Sequence, residues 1–495
     1  MRTWKKSGEN LSVLVLIPPC PQHTNVIRDV LYGSWCGGKL VGGGMIPPLS
    51  SLYVATVLAA DQNSTTLIDC GADQRDLKSL LELAPQFEIL VLQTSSITID
   101  DDAETARELR SRNPDLVTIF YGSHPTFMPE STLNKDGVDL IARREPEFII
   151  RDLVRALKAG GEAWKKVKGI GYRDNGRVIL NEGYGFIEDL DELPIPDRNL
   201  LPREQKYFNP LVRHYPYTSA LSSRGCYSRC RFCTAPYFMG GKIRARSAES
   251  VITEFEALKR QGFREIYFRD ETFTAFPSRN QQICRQLINR RLDLKWICNS
   301  IPGELDRETM AEMKRAGCHT LKFGVESGAP EILEKSNKRI SLDAVRDDFR
   351  WARELGLFRH AHIMFGMPGE TRESIEATLE FLLEIDPDSV SFQICSPYPG
   401  TPLYQELLDS YPEIIGDGSQ VLRSSELHSR GILNHLYTNL SNEVLENSIR
   451  RANRRFYFRP RYLAKSLSRV RSFSDLRRLW IAGSQLFEFS FLGFR

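Results

Sequence analysis

The run Cys226-Tyr227-Ser228-Arg229-Cys230-Arg231-Phe232-Cys233 gathers three of the chain's ten cysteines into eight residues. It follows Tyr217–Ser222, which reads as a buried strand, so the three thiols fall in the loop beyond a strand end. Three thiolates hold three irons of a 4Fe–4S cube, whereas full ligation takes four, and one iron is left open to another ligand. Zinc is the structural rival, but it takes four ligands and no fourth is evident nearby. Cys20, Cys36, Cys70, Cys284, Cys298, Cys318 and Cys395 are scattered. Several lie in apolar runs where a reduced thiol is a small hydrophobe, so no disulfide framework is expected.

Downstream of the triplet, strands and helices alternate. Strands are expected at Tyr217–Ser222, Glu265–Arg269, Leu294–Asn299, His319–Val325, His360–Phe365 and Val390–Cys395. The helices between them are Ala248–Arg260, Asp306–Ala316, Leu342–Leu355 and Glu373–Ile385. Gly262, Gly317 and Gly356 act as stops, and Ser341 caps the third helix. Six βα units without a seventh or eighth predict a partial (βα)6 barrel, with its chemistry at the C-terminal strand ends.

Upstream the same alternation predicts a Rossmann-like, doubly wound α/β domain. Ser12–Ile17 runs apolar into Pro18-Pro19, and Pro47-Pro48 opens a helix that ends near Asp61. Further strands are expected at Thr65–Ile68, Phe87–Leu92, Leu116–Tyr121 and Val138–Ile141, with helices at Asp101–Arg112 and Glu147–Ala159. Asn175-Gly176 turns a hairpin between Val167–Arg173 and Arg177–Asn181. Such sheets bind ligands in the crevice beyond their strand ends. The acid- and proline-rich Asp189–Arg198 reads as a linker. The expected organisation is therefore 1–185 (α/β domain), 186–212 (linker), 213–405 (barrel) and 406–495 (helical, basic region).

The 495 residues carry 66 Lys and Arg against 63 Asp and Glu, with 41% hydrophobic and 26% charged residues. This is the composition of a multidomain globular chain, and the charge balance of +3 disfavours a wholesale nucleic-acid binder. No apolar window is long enough to span a membrane, and the N-terminus lacks a cleavable leader pattern, so a cytoplasmic location is expected. The balance is uneven: Arg450–Arg478 holds ten Arg and one Lys against Asp475 alone, before an aromatic terminus. That segment has three readings: a helical cap over the barrel mouth with a solvated basic face, a peripheral contact at the inner face of a membrane through Trp480, Phe487, Phe489 and Phe491, or an RNA contact. The last is disfavoured because no nucleic-acid module is recognisable.

From Tyr217 to Tyr404 the chain resembles the radical S-adenosylmethionine (SAM) superfamily, whose signature is three cysteines spaced C-x3-C-x2-C after the first strand of a partial barrel. The resemblance implies further site residues. Phe232 would lie near the adenine, and Arg269-Asp270-Glu271 would receive the methionine amino group. Phe323-Gly-Val-Glu326-Ser327-Gly328 is similar to the element that contacts the ribose and carboxylate, and Ile363-Met-Phe-Gly366-Met-Pro-Gly369-Glu370 to the turn bordering the adenine. Singly these glycines read as turn glycines and Asp270-Glu271 as a solvated strand end; their succession at strand ends on the cysteine face favours the site.

The preceding domain resembles the cobalamin-binding branch of that superfamily at Pro18-Pro19, Pro47-Pro48-Leu49, Gly122-Ser123-His124-Pro125-Thr126 and Arg144-Glu145-Pro146-Glu147. Gln93-Thr94-Ser95-Ser96 would face the corrin. The chain has Arg143-Arg144 where the family often has Gly, and the Asp-x-His-x-x-Gly motif is absent. His124 reads as a cobalt ligand or, more readily, as a hydrogen-bonded turn residue.

Taken together, the resemblance implies 4Fe–4S, SAM and cobalamin as cofactors, an electron donor such as flavodoxin or ferredoxin, and formation of a 5′-deoxyadenosyl radical. The expected reaction is methylation of an unactivated carbon in a small or hydrophobic, lipid-like intermediate, with Tyr398 and Tyr404 as candidate catalytic side chains. Two rivals stay open. One is an anaerobic cyclase-like enzyme that transfers no methyl, suggested by the Phe456–Tyr462 stretch. The other is a non-catalytic, cluster-binding assembly protein. An RNA-modifying methylthiotransferase is disfavoured by the lack of a second three-cysteine cluster.

Overall fold

The computed structural model describes residues 10–19, 28, 45–202, 207–419 and 433–492. The N-terminal leader reading and the expected roles of Cys20 and Cys36 lie outside the described residues.

The first sheet contains β1 (Ser12–Ile17), β2 (Ser64–Asp69), β3 (Ile89–Thr94), β4 (Val117–Gly122), β5 (Leu140–Ala142), β6 (Ile170–Asp174) and β7 (Arg177–Leu180). Its order is β2-β1-β3-β4-β5-β6-β7. The first five strands are parallel, with Val13 opposite both Thr65 and Ile89, and the β6–β7 hairpin adds antiparallel at the edge. Strands covered on both faces read as unbroken apolar runs, and every residue of β3 is buried. The direction of winding reverses between β1 and β3, which opens a crevice beyond their C-terminal ends. Helix Leu49–Ala60 is buried on nearly every side. One face packs on the sheet, while Leu49, Tyr53 and Val57 meet Leu190, Leu193 and Leu221 of the linker and barrel.

The second sheet contains β8 (Tyr217–Ala220), β11 (Glu265–Phe268), β12 (Lys295–Ser300), β13 (Cys318–Glu326), β14 (Phe358–Phe365) and β15 (Ser389–Ile394), all parallel. The order β15-β14-β13-β12-β11-β8 leaves β8 and β15 as edges of an open seam. This is the expected partial barrel. Two short strands not foreseen in the sequence, β9 (Ser223–Arg224) and β10 (Arg244–Ala245), pair antiparallel beside the cysteine loop. Helix Pro277–Asn289 also escaped the sequence reading, because it has no side-chain N-cap and no glycine stop. Its apolar face is confined to Ile283, Cys284 and Leu287, with Asn280 buried beside them.

The basic region forms helices Asn442–Tyr457, Pro460–Ser468 and Phe473–Phe487. They do not cap the cysteine end of the barrel. Leu445, Ile449, Ala452 and Phe456 join the barrel's own core. Arg459, Lys465 and Arg469 reach Asp386 and Asp388, which precede β15 at the opposite, N-terminal end. Among the described residues no helix is long and apolar enough to cross a membrane.

Candidate active site

The cysteine loop is fixed from three sides. Asp270, beyond β11, accepts from the Ser222 amide (2.8 Å) and from the hydroxyls of Ser222 and Ser223 (2.6 Å each). Asp270 is therefore buried and committed to holding the loop, not a solvated strand end. Gly225 has φ +97°, and a Cβ there would stand 2.5 Å from the Lys242 carbonyl oxygen. Arg231 donates its amide to Ser336 O (3.0 Å) and a guanidinium N–H to Lys335 O (2.8 Å). Cys226 and Cys233 are half-buried, Cys230 is buried, and none is in a disulfide. Burial pushes the Cys226 thiol up to about 11, and the Cys230 and Cys233 thiols rise for the same reason. Cys226 and Cys230 both act electrostatically on Cys233, so the three sulfurs form one neighbourhood. No three His, Cys, Asp or Glu side chains among the described residues converge on a single ion. A donor set of three separate thiols fits a cluster with one iron per cysteine better than a zinc ion.

Charged groups from neighbouring strand ends surround this loop. Both Glu271 carboxylate oxygens are buried without a partner in good hydrogen-bond geometry. Burial, with Asp270 alongside, pushes the Glu271 carboxyl up to about 8. An orphaned carboxyl beside the cysteines fits an incoming ammonium group, which would satisfy it. Glu326 ends β13 with φ +64° and lies 3.3 Å from Lys338 Nζ. Burial works against the Lys338 charge, yet Glu326 and the Cys230 thiol more than offset it and hold Lys338 at about 12. A Cβ at Gly324 would overlap both partners, at 2.7 and 2.9 Å, so glycine gives this pair its room.

Ser327 shares a hydrogen bond with the Thr378 hydroxyl (3.0 Å), which ties the turn to helix Arg372–Ile385. Gly366 and Gly369 both have positive φ, and Asn434 Nδ2 donates to Gly366 O (3.0 Å). Phe232 packs on the cluster containing Met367, Cys395 and Tyr404. Tyr398 is half-buried at the turn after β15, where its carbonyl accepts from Thr401. Tyr404 is buried, and its hydroxyl donates to Gly416 O (2.7 Å), so here it acts as a packing residue.

The residues expected to face cobalamin divide in two. Gly122 ends β4 with φ +124°, and a Cβ there would lie 2.1 Å from Thr94 O. Gln93 accepts from Ser51 Oγ (3.1 Å), and its Nε2 is buried without a partner. Gln93 faces a void of about 20 Å³ between the domains, room for a small polar group but not for a macrocycle. The unpaired Gln93 donor at the end of β3, beside the β1/β3 crevice, fits a bound group that offers an amide acceptor.

The others are already committed. Thr94 Oγ1 donates to Asp102 (2.7 Å), and Ser95 pairs with Thr98 (3.2 Å). Glu145 is an interdomain clamp: it takes both guanidinium nitrogens of Arg244 at 2.8 Å and the Ile187 amide at 2.6 Å. His124 is buried, with Nδ1 on Ser96 Oγ (2.9 Å) and Nε2 3.7 Å from Asp417 of the post-barrel segment. Its ring belongs to an interdomain contact, as the turn-residue reading expected, and not to an open cobalt face.

Sequence reasoning missed two features. Arg224, two residues before Cys226, is buried against Glu147 and Glu145 of the first domain. Inside the barrel, Tyr267, Lys322, His360 and His362 line one cavity. Their signal was polar residues at alternate positions of otherwise apolar strands, which strand periodicity places on one face.

Comparisons with known proteins accord with this geometry. Residues 221–382 match the family model described as the radical SAM superfamily, and residues 39–154 the B12 binding domain. The chain is 30% identical over 433 residues to an uncharacterized methyltransferase of Pyrococcus horikoshii, covering 87% of this chain and 92% of that protein. It is 26% identical over 383 residues to an anaerobic magnesium-protoporphyrin IX monomethyl ester cyclase of Cereibacter sphaeroides, covering 75% of this chain and 62% of the cyclase. The structure of the cobalamin-dependent S-adenosylmethionine radical enzyme OxsB, with aqua-cobalamin and S-adenosylmethionine bound, superposes with a TM-score of 0.68 at 19% identity, covering 97% of this chain and 72% of that one, which shows the shared fold. A clamped three-cysteine loop on a partial barrel, joined to a B12-binding sheet, thus agrees with both family matches, and the chain belongs to the cobalamin-binding branch of the radical SAM superfamily.

Proposed function

We propose that the protein methylates an unactivated carbon of a hydrophobic biosynthetic intermediate. The observation that carries this reading is the clamp between Glu145 and Glu147 and the cysteine loop, which turns the B12-binding strand ends and the cluster loop toward one another. When bound, the cluster and SAM supply a 5′-deoxyadenosyl radical that removes a hydrogen atom, and cobalamin supplies a methyl group. In this reading Cys226, Cys230 and Cys233 hold a 4Fe–4S cluster. Glu271 takes the SAM ammonium, and Glu326, Lys338 and the Ser327 turn take its ribose and carboxylate end. Phe232 and the Gly366–Gly369 backbone border the adenine. Gln93 and Gly122 meet the cobalamin. Tyr398 is the candidate side chain on the substrate side. Excluding water from the crevice between the domains protects the radical from side reactions.

A small acidic electron-transfer protein such as flavodoxin or ferredoxin would supply the electron. Of the aromatic residues expected at a membrane, Trp480, Phe487 and Phe491 are exposed and Phe489 is buried; with the exposed Phe473 and Leu476 and the neighbouring arginines they support a peripheral contact with an anionic membrane. A cyclase-like reaction is the second reading, favoured by the match to the Cereibacter sphaeroides cyclase.

The test is anaerobic turnover with reductant, cobalamin and SAM carrying a deuterated S-methyl group, in the presence of cell extract. Formation of 5′-deoxyadenosine together with a product gaining the labelled methyl supports methylation. 5′-Deoxyadenosine with only unlabelled products of altered hydrogen content would favour cyclisation. Failure to form 5′-deoxyadenosine under these conditions would overturn both readings and leave the assembly-protein alternative.

A further inference from the structure

A cavity of about 1460 Å³ occupies the lower half of the barrel, at the end away from the cysteines. It exceeds the roughly 300–1,000 Å³ of ordinary small-molecule pockets. Its walls are the inner faces of β13, β14 and β15, the approach to β8, and the C-terminal helices that cover the open seam. Nine Lys and Arg line it against three Asp, an excess of six positive charges. The acids are already shared: Asp388 alone meets Arg359 (2.9 Å), Lys465 (2.8 Å) and Arg469 (2.8 Å). Arg213 lies over the Phe358 ring at 4.7 Å and has no carboxylate within ion-pair distance among the described residues. Burial, then Arg478 and Arg469, push its pKa down to about 10, and the opposing pull of Glu265 and Asp388 does not offset them.

The interior is different in kind. Tyr462, Leu479, Leu486 and Phe489 of the C-terminal segment give the seam side apolar walls, while the strands contribute polar side chains. At the deep end Lys322 Nζ donates to the Tyr267 hydroxyl (2.7 Å), while His360 and His362 are held through Nδ1 by Ser389 and Ser391 (2.7 Å each). Arg269 and Met364 follow at the next inward positions of their strands, toward the cysteines. The eight residues of β14 rise about 3.3 Å each on a strand tilted by about 36°, so the barrel is about 20 Å deep from rim to cysteine end.

We propose that this cavity seats the substrate, and that the substrate is an acidic amphiphile about 20 Å long. It enters at the seam between β8, β15 and the C-terminal helices, not through the cofactor crevice. Its anionic group stays at the rim with Arg213, Arg471 and Arg478, its apolar body packs on the wall given by Tyr462, Leu479, Leu486 and Phe489, and its far end passes Lys322 and His362 toward the radical. This assignment rests on the radical chemistry proposed above, which it supplies with a substrate class.

The test uses the full-length protein loaded with cluster and cobalamin, and dansyl-undecanoate as a fluorescent probe below its micellar concentration. Hexadecanoate and hexadecyl phosphate should displace the probe, and their ratio reports which acid the rim prefers; hexadecanol should displace it less well, by about tenfold or more. Affinity should rise about fourfold per methylene added to octanoate, until the lumen is filled. Arg213→Glu and the exposed, folding-tolerant Arg471→Glu should each weaken binding about tenfold or more, whereas Lys168→Glu, on the other domain, should not. Equal displacement by hexadecanol, or unchanged binding in both arginine variants, would overturn the proposal. Release of 5′-deoxyadenosine by the unaltered protein is measured separately. Its absence with probe binding intact removes the radical chemistry but keeps the ligand site. Its presence without probe binding removes the cavity assignment alone.

Discussion

Glu147 Oε1 lies 2.5 Å from Nη2 of Arg224, and Arg224 stands two residues before the first cysteine of the three-cysteine loop. Both side chains are almost fully buried, and Arg224 also meets Glu145 at 3.2 Å. The B12-binding domain therefore holds the three-cysteine loop directly. Glu147→Gln leaves a buried guanidinium partly unpaired and should destabilise the protein by about 3 kcal/mol, the low end for breaking a buried pair, because Glu145 remains. Urea unfolding and iron content should fall together. A variant with full iron and unchanged stability would show that the clamp is dispensable.

Cys226→Ala, Cys230→Ala and Cys233→Ala should each lose the iron–sulfur absorbance and the release of 5′-deoxyadenosine. Cys298→Ala should retain both, since that thiol is buried in the wall of β12. Iron analysis after anaerobic reconstitution distinguishes them. Retention of a cluster by any of the three would remove that cysteine from the ligand set.

Gly122→Ala places a Cβ 2.1 Å from the Thr94 carbonyl oxygen, at φ +124°. The backbone strain and the clash together should cost about 2–4 kcal/mol. If Gly122 borders the cobalamin, the variant should also retain less of it after gel filtration. Thermal unfolding and the corrin absorbance check the two effects independently.

His124 carries a pKa pushed down to about 4 by burial, whereas an unfolded histidine titrates near 6.5. The unfolded state then binds the extra proton first, so the stability contributed by neutral His124 is complete above about pH 6.5 and declines as pH falls toward 4. At pH 5 the loss should be about 2 kcal/mol. The stability difference between the unaltered protein and His124→Asn, from urea titrations at pH 7.5 and pH 5, should shrink by that amount. A difference independent of pH would show that the imidazole is not buried neutral.

Much of the fold was legible because it is encoded locally. Doubly covered parallel strands are continuous apolar runs, as in β1 and β3, and the Asn175-Gly176 turn needs no tertiary information. Helix Pro277–Asn289 was missed because its packing, not its ends, makes it a helix. The site was only partly legible. The spacing of Cys226, Cys230 and Cys233 marked out the loop that the structure clamps from three sides, and the glycines at 366 and 369 do carry the positive φ of a tight turn. Nothing local separates a free carboxylate from a committed one. Asp270 and Glu271 are adjacent, yet Asp270 accepts from Ser222 and Ser223 beyond β8 while no side chain pairs with Glu271.

By itself, the sequence determined the two α/β units, their order, and the three thiols at a strand end, because these depend on residues near one another in the chain. Tertiary structure alone decided what the polar residues do. It turned Glu145 from a cofactor contact into a clamp on Arg244, closed His124 against Asp417, and placed the basic helices at the floor of the barrel. Each of those roles depends on a partner about a hundred to three hundred residues away in the chain, or on a face of the barrel that exists only once the sheet has curled.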